Sequence, residues 1–185
     1  MMTKPPKMKD SLDERCLEKF NDDWDYREND SYLTIDILVG ERKHKFPKED
    51  LNSLSFAQVT ELSAPETISR KRREFYSQGT ASQESDYDED VESRVLLQID
   101  EDKKYSNSDK ALVLEIWKDE AQDRWGKDLE DLDKEEKKKL TKPESISKKR
   151  RQLCREGFIQ PNKGVQEARM ENQDRFRKYY REKEQ

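Results

Sequence analysis

Residues 140–157 read LTKPESISKKRRQLCREG, and residues 62–79 read LSAPETISRKRREFYSQG. The two stretches share a Pro-Glu pair, an Ile-Ser pair, a Lys-Arg-Arg run and a closing glycine at identical spacing. Leucine, proline, serine and glycine stay in register together with the charged residues, so a low-complexity Lys/Glu run does not account for the match. The sequence therefore predicts an internal duplication.

The duplication extends towards the amino terminus of each stretch. Residues 32–79 align with residues 110–157 without a gap, at an offset of 78. In each copy the sequence pattern predicts three helices: a first helix, a short second helix and, after a tight turn, a third helix that carries the repeated motif. Twelve positions are identical, and in the first copy they are Asp50, Leu51, Leu54, Leu62, Pro65, Glu66, Ile68, Ser69, Lys71, Arg72, Arg73 and Gly79.

Local signals bound the third helix at both ends. A hydroxyl residue stands three positions before a glutamate, as in a capping box; the pairs are Ser63 with Glu66 and Thr141 with Glu144. The proline between them falls in the first turn, where a missing amide costs little. The closing glycine suits the left-handed residue that ends many helices. The motif is thus predicted to form one continuous helix in each copy.

The cations of this helix are predicted to face outward. At about 100° per residue, Ile146 and Leu153 share the buried side. Like charges in close succession repel one another, so the run is best explained by an anionic partner. The alternative is a solvated basic face without a ligand. The residues predicted on the outer face are Ser147, Lys148, Arg151 and Arg155 in the second copy, and Ser69, Arg70 and Arg73 in the first.

The composition limits the size of the core. Only 30% of the 185 residues are hydrophobic and 44% are charged, which differs from an ordinary globular domain in both respects. The net charge of −5 is divided unevenly: residues 1–109 carry 17 Lys and Arg against 26 Asp and Glu, whereas residues 110–185 carry 21 against 17. We therefore expect small helical units, and we expect the second part to suit a polyanion better.

Cysteine and histidine are scarce. Cys16, Cys154 and His44 are the only residues of these two types, too few for a disulfide framework or a structural zinc site. No apolar run approaches the length of a membrane span, and the amino terminus lacks a signal-peptide core. We expect a soluble cytoplasmic protein without a metal, cofactor or membrane partner.

The sequence offers two patterns that could indicate an enzymatic metal site or a calcium site, and neither is complete. Asp36, Glu41 and Lys43 are spaced like the acidic and basic residues of many metal-dependent nucleases. Those enzymes hold a divalent ion between acids on adjacent strands, and this chain has little strand-forming sequence. The acidic run at residues 86–90 lacks the glycine and terminal glutamate of a calcium loop. We therefore predict no catalytic residues.

The remaining segments complete the predicted organisation. RVLLQID, at residues 94–100, is a candidate strand, whereas SYLTIDILVG, at residues 31–40, fits a strand or a helix. The carboxyl-terminal segment either covers the second repeat, forms a homodimer or contacts phosphates. The predicted units are a tail with a short helix (1–30), repeat 1 (31–79), an acidic linker with a short strand (80–109), repeat 2 with a small wing (110–164) and a basic amphipathic helix (165–185).

The motif PESISKKRRQLCREGFI, at residues 143–159, resembles the recognition helix of the winged helix-turn-helix superfamily of DNA-binding domains. More narrowly, it looks like the recognition helix of small regulators found in microbial and viral genomes, which reads approximately Pro-Glu-Ser-Ile-Ser-Arg-x-Arg-Arg-x-Leu before a glycine and a wing. The resemblance covers about 50 residues in each copy. It implies that the helix enters the DNA major groove and presents side chains to base edges.

The resemblance also implies which residues of this chain contact the DNA bases and which contact the DNA backbone. An arginine fork matches two acceptors on guanine, and other cations hold phosphates. In the wing, Phe158 and Ile159 would start a strand, with Lys163 near the DNA backbone. The implied base readers are Ser147, Lys148, Arg151, Ser69, Arg70 and Arg73. The implied backbone contacts are Lys149, Arg150 and Arg155, and Arg72, at the position equivalent to Arg150, is a further implied DNA contact. The first copy continues into an acidic segment that would repel phosphate, so repeat 2 is the predicted main contact.

Together these features predict a mainly α protein with two tandem helix-turn-helix units of winged-helix type. The predicted function is binding of double-stranded DNA as a transcriptional regulator, with the two units on half-sites about one helical turn apart. The alternative is a protein–protein interaction adaptor built on winged-helix modules. A steep loss of duplex affinity with rising salt distinguishes the two functions.

Overall fold

A computed structural model of the chain describes residues 11–75, 91–162 and 164. These residues are mainly helical and include no strand, which confirms the predicted mainly α class. The helices are α1 (Leu12–Asp22), α2 (Asp30–Lys45), α3 (Phe56–Glu61), α4 (Pro65–Phe75), α5 (Val91–Glu101), α6 (Asp109–Trp125), α7 (Lys134–Lys138) and α8 (Pro143–Glu156).

The N-terminal half (α1–α4) and the C-terminal half (α5–α8) each consist of four α-helices in the same order. A 3-10 turn follows the first helix of each half, at Trp24–Arg27 and at Lys103–Asn107. The duplication therefore begins about 20 residues before the predicted repeats. The gapless alignment is also wrong, because the equivalent buried residues Glu41 and Glu120 are 79 positions apart. The C-terminal half is one residue shorter between its second and third helices.

Helix α5 overturns the predicted strand at residues 94–100 and the predicted linker over residues 91–109. Val91, Val95 and Ile99 recur every fourth residue and are all buried, which is the spacing of one face of a helix. Helix α1 is its counterpart and confirms the predicted short helix, but it packs against α4 rather than forming a tail. Residues 80–90 of the predicted linker and the predicted helix at 165–185 lie outside the described residues.

Helices α2 and α6 form the centre of the molecule. Residues 31–40 are helical, which settles the open choice between strand and helix. Both helices bury side chains around most of their circumference, including Leu33, Leu38, Leu112 and Trp117. A helix that is apolar on nearly all sides is one enclosed by neighbours. Of the helices described here, none has the length and apolar character needed to cross a bilayer.

The two halves interlock. Helix α3 packs against α6 of the other half, and α7 packs against α2. The loops before these helices also meet: the amide of Leu51 donates to Glu130 at 2.6 Å, and the amide of Leu129 donates to Asn52 at 3.1 Å. These reciprocal contacts give the molecule approximate two-fold symmetry. The buried apolar residues of both halves accordingly form one hydrophobic cluster.

An ionic clamp holds α7 to the N-terminal half. The Lys134 ammonium lies 2.6 Å from Asp23 and 2.9 Å from Asp25, and Lys138 also pairs with Asp25. The hydrogen bond from Lys134 lowers the pKa of Asp23, and the hydrogen bond from Lys138 lowers the pKa of Asp25. The clamp joins segments more than 100 residues apart in sequence, so it stabilises the contact between the halves.

The clamp predicts a loss of stability in acid. A carboxyl whose pKa is lower in the folded state stabilises folding fully above its unfolded pKa of about 3.9, and this stabilisation disappears as the pH falls through the folded value. The melting temperature should therefore fall between about pH 5 and pH 2. In Asp25→Asn the fall should be shallower, since one titrating partner is gone.

Thermal melts followed by circular dichroism at several pH values measure this effect. The matched control is Asp100→Asn, which removes an exposed carboxyl that makes no ion pair with the described residues. Equal pH dependence in the Asp25 and Asp100 variants would show that the clamp does not contribute.

Candidate nucleic-acid interface

Helices α4 and α8 begin at Pro65 and Pro143, but the predicted capping boxes are wrong. The amide of Ser63 donates to Glu41 at 2.6 Å, and its hydroxyl donates to the same carboxylate. Thr141 makes the same pair of hydrogen bonds to Glu120, with the amide at 2.9 Å. A buried acceptor on the preceding long helix therefore competes successfully with the local glutamate, and it fixes where α4 and α8 start.

Arg72 and Arg150 point into the molecule. Arg150 is only 1% exposed; its Nε donates to Asp109 and its Nη1 donates to the Ser106 carbonyl at 2.7 Å. Arg72 makes the equivalent hydrogen bonds: its Nε donates to Asp30, and its Nη1 donates to the Arg27 carbonyl at 2.6 Å. The prediction that these two arginines contact phosphates is wrong, because internal carboxylates neutralise both. They fasten α4 and α8 to the start of the long central helices.

Ser69 and Ser147 are fully buried where α4 packs against α8. The Ser147 hydroxyl donates to Glu66, which lies near the start of α4. The end of α4 in turn meets the start of α8, since Arg73 lies 3.1 Å from Glu144. The two helices therefore run antiparallel across the approximate two-fold axis. The prediction that Ser69 and Ser147 face outward as base readers is wrong.

The other cations of the motif flank this helix pair on its open side. Lys148, Arg151 and Arg155 are exposed and form no ion pair with any described residue. Arg70 and Arg73 are exposed too, but they have carboxylate partners: Arg70 pairs with Glu74, and Arg73 pairs with Glu144. We call this region the paired-helix surface. It consists of Arg70, Arg73, Lys148, Arg151 and Arg155 together with Glu66 and Glu144.

Lys149 does not belong to the paired-helix surface. It is half-buried and lies 3.1 Å from Glu92 on α5. The equivalent Lys71 likewise lies 3.1 Å from Asp13 on α1. These two lysines therefore connect the last helix of each half to the first. Nothing in this arrangement favours the predicted phosphate contact of Lys149.

The pairing sets the width of the surface. Two helices in contact have axes about 8–10 Å apart, and each is about 10–12 Å across, so the pair is about 18–22 Å wide. The major groove of B-form DNA is about 12 Å wide. The pair is too broad to enter one groove, and its members lie too close together to reach half-sites a helical turn apart. The geometry therefore does not fit the predicted insertion of each repeated helix into the groove of its own half-site.

The predicted wing is wrong over residues 158–162. Gly157 ends α8 in the left-handed conformation with φ 85°, as expected of a helix-stopping glycine. Residues 158–162 then form no strand; Ile159 is buried in the core, and the Asn162 amide donates to Asn107 at 2.7 Å. The predicted contact residue Lys163 lies outside the described residues.

The two acids of the nuclease-like spacing, Asp36 and Glu41, form hydrogen bonds within the fold. Asp36 accepts hydrogen bonds from Tyr26 and from Lys137, the latter at 2.8 Å. Glu41 lies on α2 and is buried against the start of α4, where it accepts the hydrogen bonds from Ser63. Within the described ranges, no three His, Cys, Asp or Glu side chains come together as a metal site would require. Both acids therefore have structural roles in this arrangement.

Comparison with known proteins adds no relative: no family model matches the chain, and searches of curated proteins and of solved structures find no match. The likeness to winged helix-turn-helix domains therefore rests on the motif at residues 143–159.

Proposed function

We propose that the chain binds double-stranded DNA along its phosphate backbone through the paired-helix surface. The supporting observation is that five cations from both halves lie beside two carboxylates on one exposed surface, and that Lys148, Arg151 and Arg155 have no internal ion-pair partner among the described residues. Exposed cations in a row are the residues that neutralise phosphates and release counterions. Helix α8 contributes three of the five and is the main contact.

This mode of binding carries little sequence information. Phosphate contacts fix register and orientation, whereas sequence is read at base edges. Transcription regulation would follow only from a sequence preference, which selection from a random duplex pool measures directly.

The proposal predicts salt-sensitive binding. If the three unpaired cations each neutralise one phosphate, the affinity should fall with a log–log slope of about −2.7, which is roughly 40-fold between 50 and 200 mM salt. Replacing Lys148 and Arg151 together by Ala should weaken binding and make the slope shallower by about 1.8. Fluorescence anisotropy with a labelled duplex over a salt series measures both quantities.

The double variant Lys103→Ala, Lys104→Ala is the matched control. It removes two exposed cations from the turn between α5 and α6, and it should leave the affinity and the salt slope unchanged. Equal losses in the two double variants would contradict the assignment of the surface. Absence of duplex affinity near 10 µM at low salt would overturn DNA binding altogether and favour the adaptor alternative.

A further inference from the structure

A shallow groove runs between α5 and α6 on the surface of the C-terminal half. Its volume is about 250 Å³, and its lining includes Arg94, Leu97, Ile116, Asp119 and Asp123. Leu97 is 57% exposed, one of the most exposed large apolar side chains among the described residues. The groove therefore combines an apolar floor with two carboxylates at one side.

The N-terminal half offers an internal comparison, because α1 and α2 are the counterparts of α5 and α6. At the positions equivalent to Leu97, Asp119 and Asp123 it carries Glu18, Gly40 and His44. The combination of an exposed leucine with two carboxylates at these positions thus occurs on only one of the two duplicated surfaces. A feature that the shared architecture required would occur in both halves.

The groove holds one cation and two acids. Arg94 lies 3.2 Å from the buried Glu120, whereas Asp119 and Asp123 form no ion pair with a described residue. Partial burial raises the pKa of Asp119, and the neighbouring carboxylates of Glu115 and Asp123 raise it further. Gln98, the residue after Leu97, donates a hydrogen bond to Asp119 but brings no charge. A cationic group placed here would stabilise the charged form of these acids.

The chain passes close to this groove before its last 21 residues. Asn162 is held by Asn107 in the turn that joins α5 to α6, and residues 165–185 follow. From the start of α6 to Asp123 is about 21 Å along the helix, at 1.5 Å per residue. The following segment can reach that far even at the rise of an α-helix. Its cations and aromatic residues alternate in the stretch RFRKYYR, at residues 175–181.

We infer that residues 165–185 of the same chain dock in the α5–α6 groove. The aromatic side chains of the stretch contact the exposed Leu97, and its arginines and lysine pair with Asp119 and Asp123. Covalent attachment near the groove raises the effective concentration of the segment to the millimolar range, so that modest contacts suffice for occupancy. The N-terminal half lacks both the groove chemistry and a nearby segment of this kind.

Hydrogen exchange of the full-length chain, followed by mass spectrometry, tests the inference. Peptides from residues 165–185 should exchange at least about tenfold more slowly than an unstructured segment. Leu97→Asp and Asp123→Lys should each remove this protection. The matched control is Leu17→Asp, which places the same charge on the exposed side of α1 and should leave the protection intact.

Three results would overturn the inference. Unprotected exchange of residues 165–185 in the unaltered chain would show that the segment does not dock. Protection that survives Leu97→Asp and Asp123→Lys would place the segment elsewhere. Protection that disappears on dilution, together with a higher mass by light scattering, would show that the segment belongs to a second copy and would support the homodimer predicted from the sequence.

Discussion

Replacing Arg150 by Met is expected to destabilise the protein by about 3 kcal/mol, because it leaves Asp109 and the Ser106 carbonyl without their buried partner. This is a large part of the 5–15 kcal/mol that stabilises a typical domain. Arg150→Lys should recover little, since a single ammonium cannot reproduce the two donors of the guanidinium. Urea unfolding followed by circular dichroism measures the difference.

Arg151→Ala is the matched control for this prediction. Arg151 is the next residue in α8 but is exposed, and its only bond to a described residue is to the Ser147 carbonyl within the same helix. Its replacement should change the free energy of unfolding by less than about 0.5 kcal/mol. In the double variant Arg150→Met, Asp109→Asn, part of the stability should return, because the unpaired charge is gone. Equal stability of Arg150→Met and Arg151→Ala would contradict the buried role of Arg150.

The contrast between these neighbouring arginines shows what the sequence could and could not predict. The helix itself was predictable, because its proline, its closing glycine and its buried isoleucine are local signals. Arg150 lies only about 40° around the helix from Ile146, so its position already favoured the core. What the sequence did not show was the partner, since Asp109 is 41 residues away. Charge alone does not tell whether an arginine faces solvent or an internal carboxylate.

The first helix of each half was left outside the predicted repeats for a different reason. Arg15 and Arg94 are an identical pair, as are Glu41 and Glu120, and the members of each pair lie 79 residues apart. The last helices of the halves, α4 and α8, start 78 residues apart. A gapless comparison therefore places these pairs out of register. The relation between the halves was not predictable either, because α3 buries much the same apolar residues whether it packs on its own half or on the other.

Cleavage of the chain between residues 82 and 83, at an inserted protease site, is expected to leave the two halves together as one folded complex. The reason is the exchange of α3 and α7: each half alone would expose the apolar residues that now contact the other half, including Leu51 and Leu129. Halves separated in urea and returned to buffer one at a time should lose roughly half or more of their helical circular dichroism, because short helices are marginal without tertiary contacts.

Mixing the two separated halves should restore the helical signal and one cooperative melt. The midpoint should depend on concentration, since folding now requires association. Size-exclusion chromatography distinguishes this outcome from the tandem arrangement predicted by the sequence, in which each half would elute alone and melt cooperatively. That second outcome would remove the shared core and the antiparallel α4–α8 pair, and with them the paired-helix surface proposed to bind DNA. The split chain therefore tests the physical basis of the proposed function without using DNA.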